Sequence, residues 1–288
     1  MKLKFTKMHG CGNDYIYFNC FDGQVIESPE TLAPKLSDRH KGIGGDGIVL
    51  ILPPDACPSG DSNIHAGMRM FNADGSEGRM CGNALRCVTK YVYDNGLAPG
   101  RHMRIWTQSG IKELEVIDEG GKAVAVKANL GPAELSPSKV PVLLPGEKII
   151  SVPVEVGGEV YEITCVLMNN GHAVVFVDDV SKVDLQRIGP LFENHPIFPD
   201  RINTEFIQVI SRDRLKMRVW ERGSGQTMAC GTGACAAVVA AVLNGHCDAA
   251  TDVTVELDGG ELVANYTEET VIMTGDCNLV FEGTVEVY

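Results

Sequence analysis

Residues 233–245 read GACAAVVAAVLNG, directly after Cys230-Gly231-Thr232. The spacing predicts a helix, yet no face of it is polar, so water cannot touch any side of it. The apolar run from Ala234 to Leu243 is far too short to cross a bilayer. The remaining solution is a helix enclosed by its own protein, and the many strand-like segments around it make a curved sheet the natural enclosure.

Those segments include DYIYFN, GIVLIL, MRMFN, HMRIW, AVAVKA, YEITCVLM, AVVFVDD, TEFIQVI, KMRVW, DVTVEL and LVFEGTVEVY, each alternating or continuously apolar. Helices are fewer. One follows Cys81 (NALRCVTKYVYDNG), amphipathic with Leu85, Val88 and Val92 on one side. Another is expected in SPETLAPKLSDRH with Ser28 as its cap, and a fourth near Asp184 to Ile188.

The two cysteine-headed helices lie at a fixed offset. Cys81 and Cys230, Met68-Arg69 and Met217-Arg218, Phe71 and Trp220, Gly82 and Gly231, and the stops Asn95-Gly96 and Asn244-Gly245 all pair at 149 residues. GNDYIYF from Gly12 is echoed by GHAVVFV from Gly171. A recurring order of strand, Gly-rich turn, cysteine, helix and Asn-Gly reads as a duplication. With 288 residues available, two lobes of about 140 are expected. The predicted fold is α+β: two pseudo-symmetric lobes, each a curved, mostly antiparallel sheet wrapped around a central helix, with the active site in the interlobe cleft. Residues 1–128 form the first lobe, completed by a C-terminal strand at 276–288, and residues 129–275 the second. The Pro-rich stretch from Pro137 to Glu147 reads as an extended connection.

A formal charge of −13 argues against a nucleic-acid surface, which needs clustered Lys and Arg. The start, MKLKFTKMHG, has no apolar core of a secretion signal, so a cytoplasmic protein without membrane partners is expected. Ten cysteines occur without a CxxC pair or a dense disulfide framework, which speaks against zinc; Cys87 and Cys235, a turn or so into their helices, read as core packing. GIGGDG at residues 42–47 satisfies GxGxxG formally. It precedes a strand rather than following one, so it is read as a tight turn, not a dinucleotide site. His9, His40, His65, His102, His195 and His246 show no ligand spacing.

A thiol at a helix start feels the positive end of the helix dipole, which favours its thiolate, and the first backbone N–H groups there are free to bind a carboxylate. Two such units facing each other would put one thiol on each side of a bound carboxylate. That geometry suits proton removal at the adjacent carbon, one sulfur acting as base and the other as acid.

The motifs HGCGNDY at His9, RHKGIGGDG at Arg39, FNADGSEGRMCGNALRC at Phe71, MNNGHAV at Met168, DRINTEF at Asp200 and WERGSGQTMACGTGAC at Trp220 resemble the diaminopimelate epimerase family of cofactor-independent amino-acid racemases, along essentially the whole chain. The resemblance implies Cys81 and Cys230 as the two bases, His172 as partner of the first and Glu221 of the second. It implies Gly82-Asn83 and Gly231-Thr232 as the cradle of the reacting carboxylate. Asn13, Asn72, Asn170, Asn203, Glu221 and Arg222 would hold the rest of the substrate. It further implies an amino-acid substrate and no pyridoxal phosphate, metal or nucleotide, and leaves a homodimer open.

Four positions in three motifs depart from the family pattern. MNNGH stands for the usual MGNPH, so Asn169 replaces a glycine where it is expected to resist a positive φ, and Gly171 replaces proline and loosens the turn. Gln226 stands where GET is usual, and Gly47 where many members have Gln. The expected reaction is interconversion of LL- and meso-diaminopimelate. Alternatives are a sister racemase for another amino acid such as histidine, a dithiol redox protein, and, more weakly, a cysteine hydrolase built on Cys81 and His172.

Overall fold

The computed structural model describes residues 2–287. The chain divides into two compact units, one running to Ala128 and taking back the C-terminal segment from Gly275, the other spanning Asn129–Thr274.

In the first unit, strand Lys2–Gly10 pairs antiparallel with Asn13–Asn19 on one side and with the C-terminal strand Asn278–Glu286 on the other. Asn13–Asn19 runs parallel to Gly47–Leu52, which pairs antiparallel with Ala66–Asn72. A short parallel contact carries Ala66–Asn72 to His102–Thr107, and Gly110–Glu119 and Lys122–Asn129 extend the antiparallel sheet. The second unit repeats the pattern: Glu159–Met168 antiparallel to Asn170–Phe176, then Asn203–Ser211 parallel, Arg214–Glu221 antiparallel, Asp252–Leu257 parallel and Gly260–Tyr266 antiparallel. Each sheet is mostly antiparallel, with its parallel pairings at equivalent steps. The duplication read from the offset therefore extends to strand pairing, whose order is set over hundreds of residues and not by any local motif.

Four α-helices occur among the described residues: α1 (Pro29–Ser37), α2 (Gly82–Asp94), α3 (Leu185–Glu193) and α4 (Gly231–Leu243). Helix α4 is buried continuously from Gly233 to Ala241 and packs on strands Glu159–Met168 and Gly260–Tyr266, as an all-apolar helix must. Burying nine small residues costs little rotamer entropy for the alanines. Helix α2 packs on Lys2–Gly10 and Gly110–Glu119 and is more buried than its amphipathic pattern predicts. Arg86 on it is fully buried, donating from Nε to the Asp276 carbonyl (3.0 Å) and from Nη2 to Asn83 Oδ1 (2.8 Å). A returning C-terminal segment supplies the acceptor, which is why periodicity could not foresee this burial.

The Asn-Gly stops act as expected. Gly96 and Gly245 take φ +62° and +76°, and the amides of Leu97 and His246 reach back to the carbonyls of Val92 and Ala241. Ser28 does not cap α1 with its side chain. It sits in the left-handed region, and its carbonyl accepts from the Thr31 and Leu32 amides, with Pro29 opening the helix. Asp184 does cap α3, accepting from the Arg187 amide. Strands Lys2–Gly10, Gly110–Glu119, Val152–Val156, Gly260–Tyr266 and Val271–Asp276 escape the sequence reading; lysines and acidic residues interrupt the apolar pattern of the first two, and the other three are only five to seven residues long. No helix among the described residues is long and apolar enough to cross a membrane.

Candidate active site

Cys81 occupies the N-cap position of α2, in extended conformation, so its side chain stands at the mouth of the helix while its carbonyl accepts the first helical hydrogen bond from Leu85. Its thiol donates to Asn13 Oδ1 at 3.3 Å, and Asn83 Nδ2 donates to the same oxygen at 3.3 Å. Asn13 is held from behind: its Nδ2 donates to Asp46 Oδ2 at 2.7 Å. Asp46 also accepts from the Asp14 amide (3.0 Å) and from Arg39 (3.0 Å). The glycine-rich 42–47 loop thus supplies a carboxylate that fixes which way the Asn13 amide faces. Asn83 is fixed in turn by Arg86. Burial, and then the neighbouring Cys81, push the Tyr15 phenol up, a second residue that sequence reasoning missed.

Asn72 ends strand Ala66–Asn72 and donates to Ser76 Oγ at 3.0 Å. Opposite it, Gly47 allows a close approach of backbones: a Cβ there would lie 2.1 Å from the Phe71 carbonyl oxygen. The glutamine many relatives are expected to carry at this place would require a shifted backbone.

In the second unit Cys230 occupies the equivalent N-cap of α4. Its sulfur lies 3.6 Å from Thr232 Oγ1, and the Gly233 amide points at it. The helix start was expected to lower this thiol's pKa. The structure reverses that: burial, then the carboxylates of Glu221 and Glu205, push Cys230 well up, and the amide and Thr232 hydroxyl offset only part of this. A dipole acts through partial charges in the first turn, whereas burial in a dry site penalises the full charge of a thiolate. Glu221 closes strand Arg214–Glu221, accepts the Thr227 hydroxyl, and is itself pushed up, chiefly by burial.

His172 is fully buried on strand Asn170–Phe176, and its Nδ1 lies 2.7 Å from Glu205 Oε1, also fully buried. Glu205 stands inside the quoted DRINTEF motif, yet nothing local marked it. Gly233 explains the second glycine of CGTG, since a Cβ there would sit 2.6 Å from Glu205 Oε1 and 3.2 Å from the Cys230 sulfur. Asn203 spends both amide atoms on the scaffold, donating to the Gly171 carbonyl (3.0 Å) and accepting from the Arg222 amide (2.9 Å). Arg222 is exposed and donates to the Asp200 carbonyl, and Asn170 is exposed at the head of its strand. Glu193, missed from sequence, accepts from Trp220 Nε1 (2.7 Å) and the Gly223 amide (2.9 Å), and so holds the turn that presents Glu221 and Arg222.

Asn169 corrects an expectation: it adopts φ +64° without glycine, because Asn is among the side chains that tolerate the left-handed region. Gln226 is exposed and accepts from Gln186. Among the described residues no cluster of three or more His, Cys, Asp or Glu side chains is arranged to hold a metal ion.

These two cysteine-headed helix starts occur in a sequence that the family model described as "Diaminopimelate epimerase" matches over residues 5–136 and 164–280. The chain belongs to the diaminopimelate epimerase family. Members it resembles include the diaminopimelate epimerases of Acetivibrio thermocellus (50% identity, 99% of both chains) and Desulfovibrio desulfuricans (50%, 98% of this chain and 97% of that one). That of Methanococcus maripaludis is 46% identical over 99% of this chain and all of its own. In fold the chain is similar to a PhzF-family phenazine biosynthesis protein of Bacillus anthracis (TM-score 0.70, 13% identity, all of both chains). It is also similar to a hydroxyproline epimerase of Agrobacterium vitis (TM-score 0.68, 12%, 99% of this chain and 92% of that one). At such identities the likeness concerns the fold alone.

Proposed function

We propose that the protein inverts the α-carbon of diaminopimelate, interconverting the LL and meso forms without pyridoxal phosphate, as a reaction of the cytoplasm. The observation that carries the reading is the repeated cysteine N-cap, one per unit, in a chain half identical over nearly its full length to diaminopimelate epimerases.

In this reading Cys81 and Cys230 meet one α-carbon from opposite faces. One sulfur, as thiolate, takes the α-proton, and the electron pair left on carbon delocalises into the adjoining carboxylate. The opposite thiol then delivers its proton, so configuration inverts and the charge passes to the second sulfur. The opening amides of α2 and α4, at Gly82-Asn83 and Gly231-Thr232, suit the carboxylate as its negative charge grows. The elevated proton affinity of Cys230 supports its resting as the acid. His172 and Glu221 would restore each sulfur's protonation. Asn13, Asn72, Asn170 and Arg222 would hold the remainder of the substrate, Arg222 offering a planar fork to its distal carboxylate and Asn203 fixing the backbone on which Arg222 stands.

The test is incubation with LL-diaminopimelate in deuterated buffer, followed by chiral chromatography and mass spectrometry, beside a panel of single amino acids including histidine. Deuterium entering the α position as the meso form appears supports the reading. Unchanged diaminopimelate, or a Cys81→Ala or Cys230→Ala variant with the wild-type rate, overturns it.

A further inference from the structure

We propose that Glu205 is a positioning residue, holding the His172 ring through Nδ1 so that only Nε2 exchanges protons. This rests on the reading that His172 takes part in proton transfer.

The two residues lie on parallel neighbouring strands. Val174 is in register with Glu205 and His172 with Asn203, which makes the carboxylate a diagonal neighbour of the ring. Both side chains are fully buried, with Oε1 and Nδ1 2.7 Å apart. Glu205 Oε1 also borders the first turn of α4, where only a glycine at 233 permits the approach, so the carboxylate faces the positive end of that helix. A carboxylate can only accept a hydrogen bond, so in this 2.7 Å pairing the ring carries its proton on Nδ1 and presents Nε2 for exchange.

The other atom of each partner gives the second observation. His172 Nε2 and Glu205 Oε2 are buried without a hydrogen-bond partner among the described residues. A buried polar pair left half satisfied costs stability compared with a well-packed apolar pair, and a purely structural role gives no reason to keep it. The titratable groups facing Glu205 are His172 on the parallel neighbour strand, Glu221 on the next strand, and Cys230 at the head of α4. The negative charge at 205 also raises the proton affinity of Glu221 and Cys230. One carboxylate therefore readies a histidine nitrogen to accept a proton while keeping the nearby thiol protonated.

Nitrogen-15 NMR of histidine-labelled wild-type protein reads the tautomer directly, with His172→Gln assigning the signals. The expected neutral ring bears its proton on Nδ1, and a neutral ring protonated on Nε2 overturns the proposal whether or not a Glu205 variant folds. Glu205→Gln is expected to lower kcat by roughly 10²–10³-fold, with KM within about threefold and the acid limb of the kcat/KM profile displaced; Glu205→Asp should restore part of both. A folded Glu205→Gln enzyme with wild-type kcat and pH profile also overturns it. The wild-type assay with diaminopimelate separates this failure from that of the function itself, because it involves neither variant.

Discussion

Gly233→Ala isolates the close approach at the head of α4. The backbone there is not in the left-handed region, so alanine is conformationally allowed and gains about 0.5–1 kcal/mol of helix propensity. The obstacle is contact. The added Cβ would meet Glu205 Oε1 at 2.6 Å, whereas ordinary contact begins near 3.4 Å. The carboxylate must therefore recede by about 0.8 Å, a displacement large enough to disturb the length or angle of its 2.7 Å hydrogen bond to His172. Overpacking of this kind costs about 1–3 kcal/mol. Net destabilisation is then about 0–2.5 kcal/mol, a fall in Tm of less than about 10 °C. Activity should suffer more: a displacement near 1 Å in a preorganised site costs roughly 10²-fold. Calorimetry and chiral chromatography on the same preparation give both numbers. A variant with kcat/KM within twofold of wild type would refute the argument that this glycine protects the Glu205–His172 contact.

Three further outcomes follow from the same structure. Burial alone pushes Cys165 up to about 12 from 9.0, so the folded state retains a proton the unfolded state loses, and stability is complete below pH 9 and falls between pH 9 and 12. The slope contributed is about 1.4 kcal/mol per pH unit, and Cys165→Ala should flatten the decline of Tm between pH 8 and 10; an unaltered slope would sink the assignment. Alkylation of Cys230, followed by peptide mass spectrometry, should keep rising about tenfold per pH unit past pH 9, and a plateau below pH 8 would show that the helix start outweighs burial and the two carboxylates. Asp46→Ala releases the Asn13 amide from a charge-assisted hydrogen bond worth about 1.5–3 kcal/mol, so kcat/KM should drop by about 10–100-fold, and wild-type kinetics would mean the amide is held by something else.

What the sequence determines by itself is what neighbouring residues decide among themselves. Helix α4 is enclosed because no side of it can face water, and α2 and α4 end where Asn-Gly permits a positive φ. Cys81 and Cys230 stand at helix starts because a Gly-rich turn precedes each apolar run. The same locality explains the misses. Ser28 has the composition of a cap but is overridden by Pro29 and its own backbone, and Arg86 reads as an exposed helix charge until the C-terminal segment brings Asp276 beside it. Only the tertiary structure places Glu205 against His172, Asp46 behind Asn13 and Glu193 under the Glu221 turn, each through strands or loops distant in sequence. It also decides the protonation of Cys230, since the helix dipole is a local property whereas burial and the fields of Glu221 and Glu205 exist only once the sheet has closed around the helix.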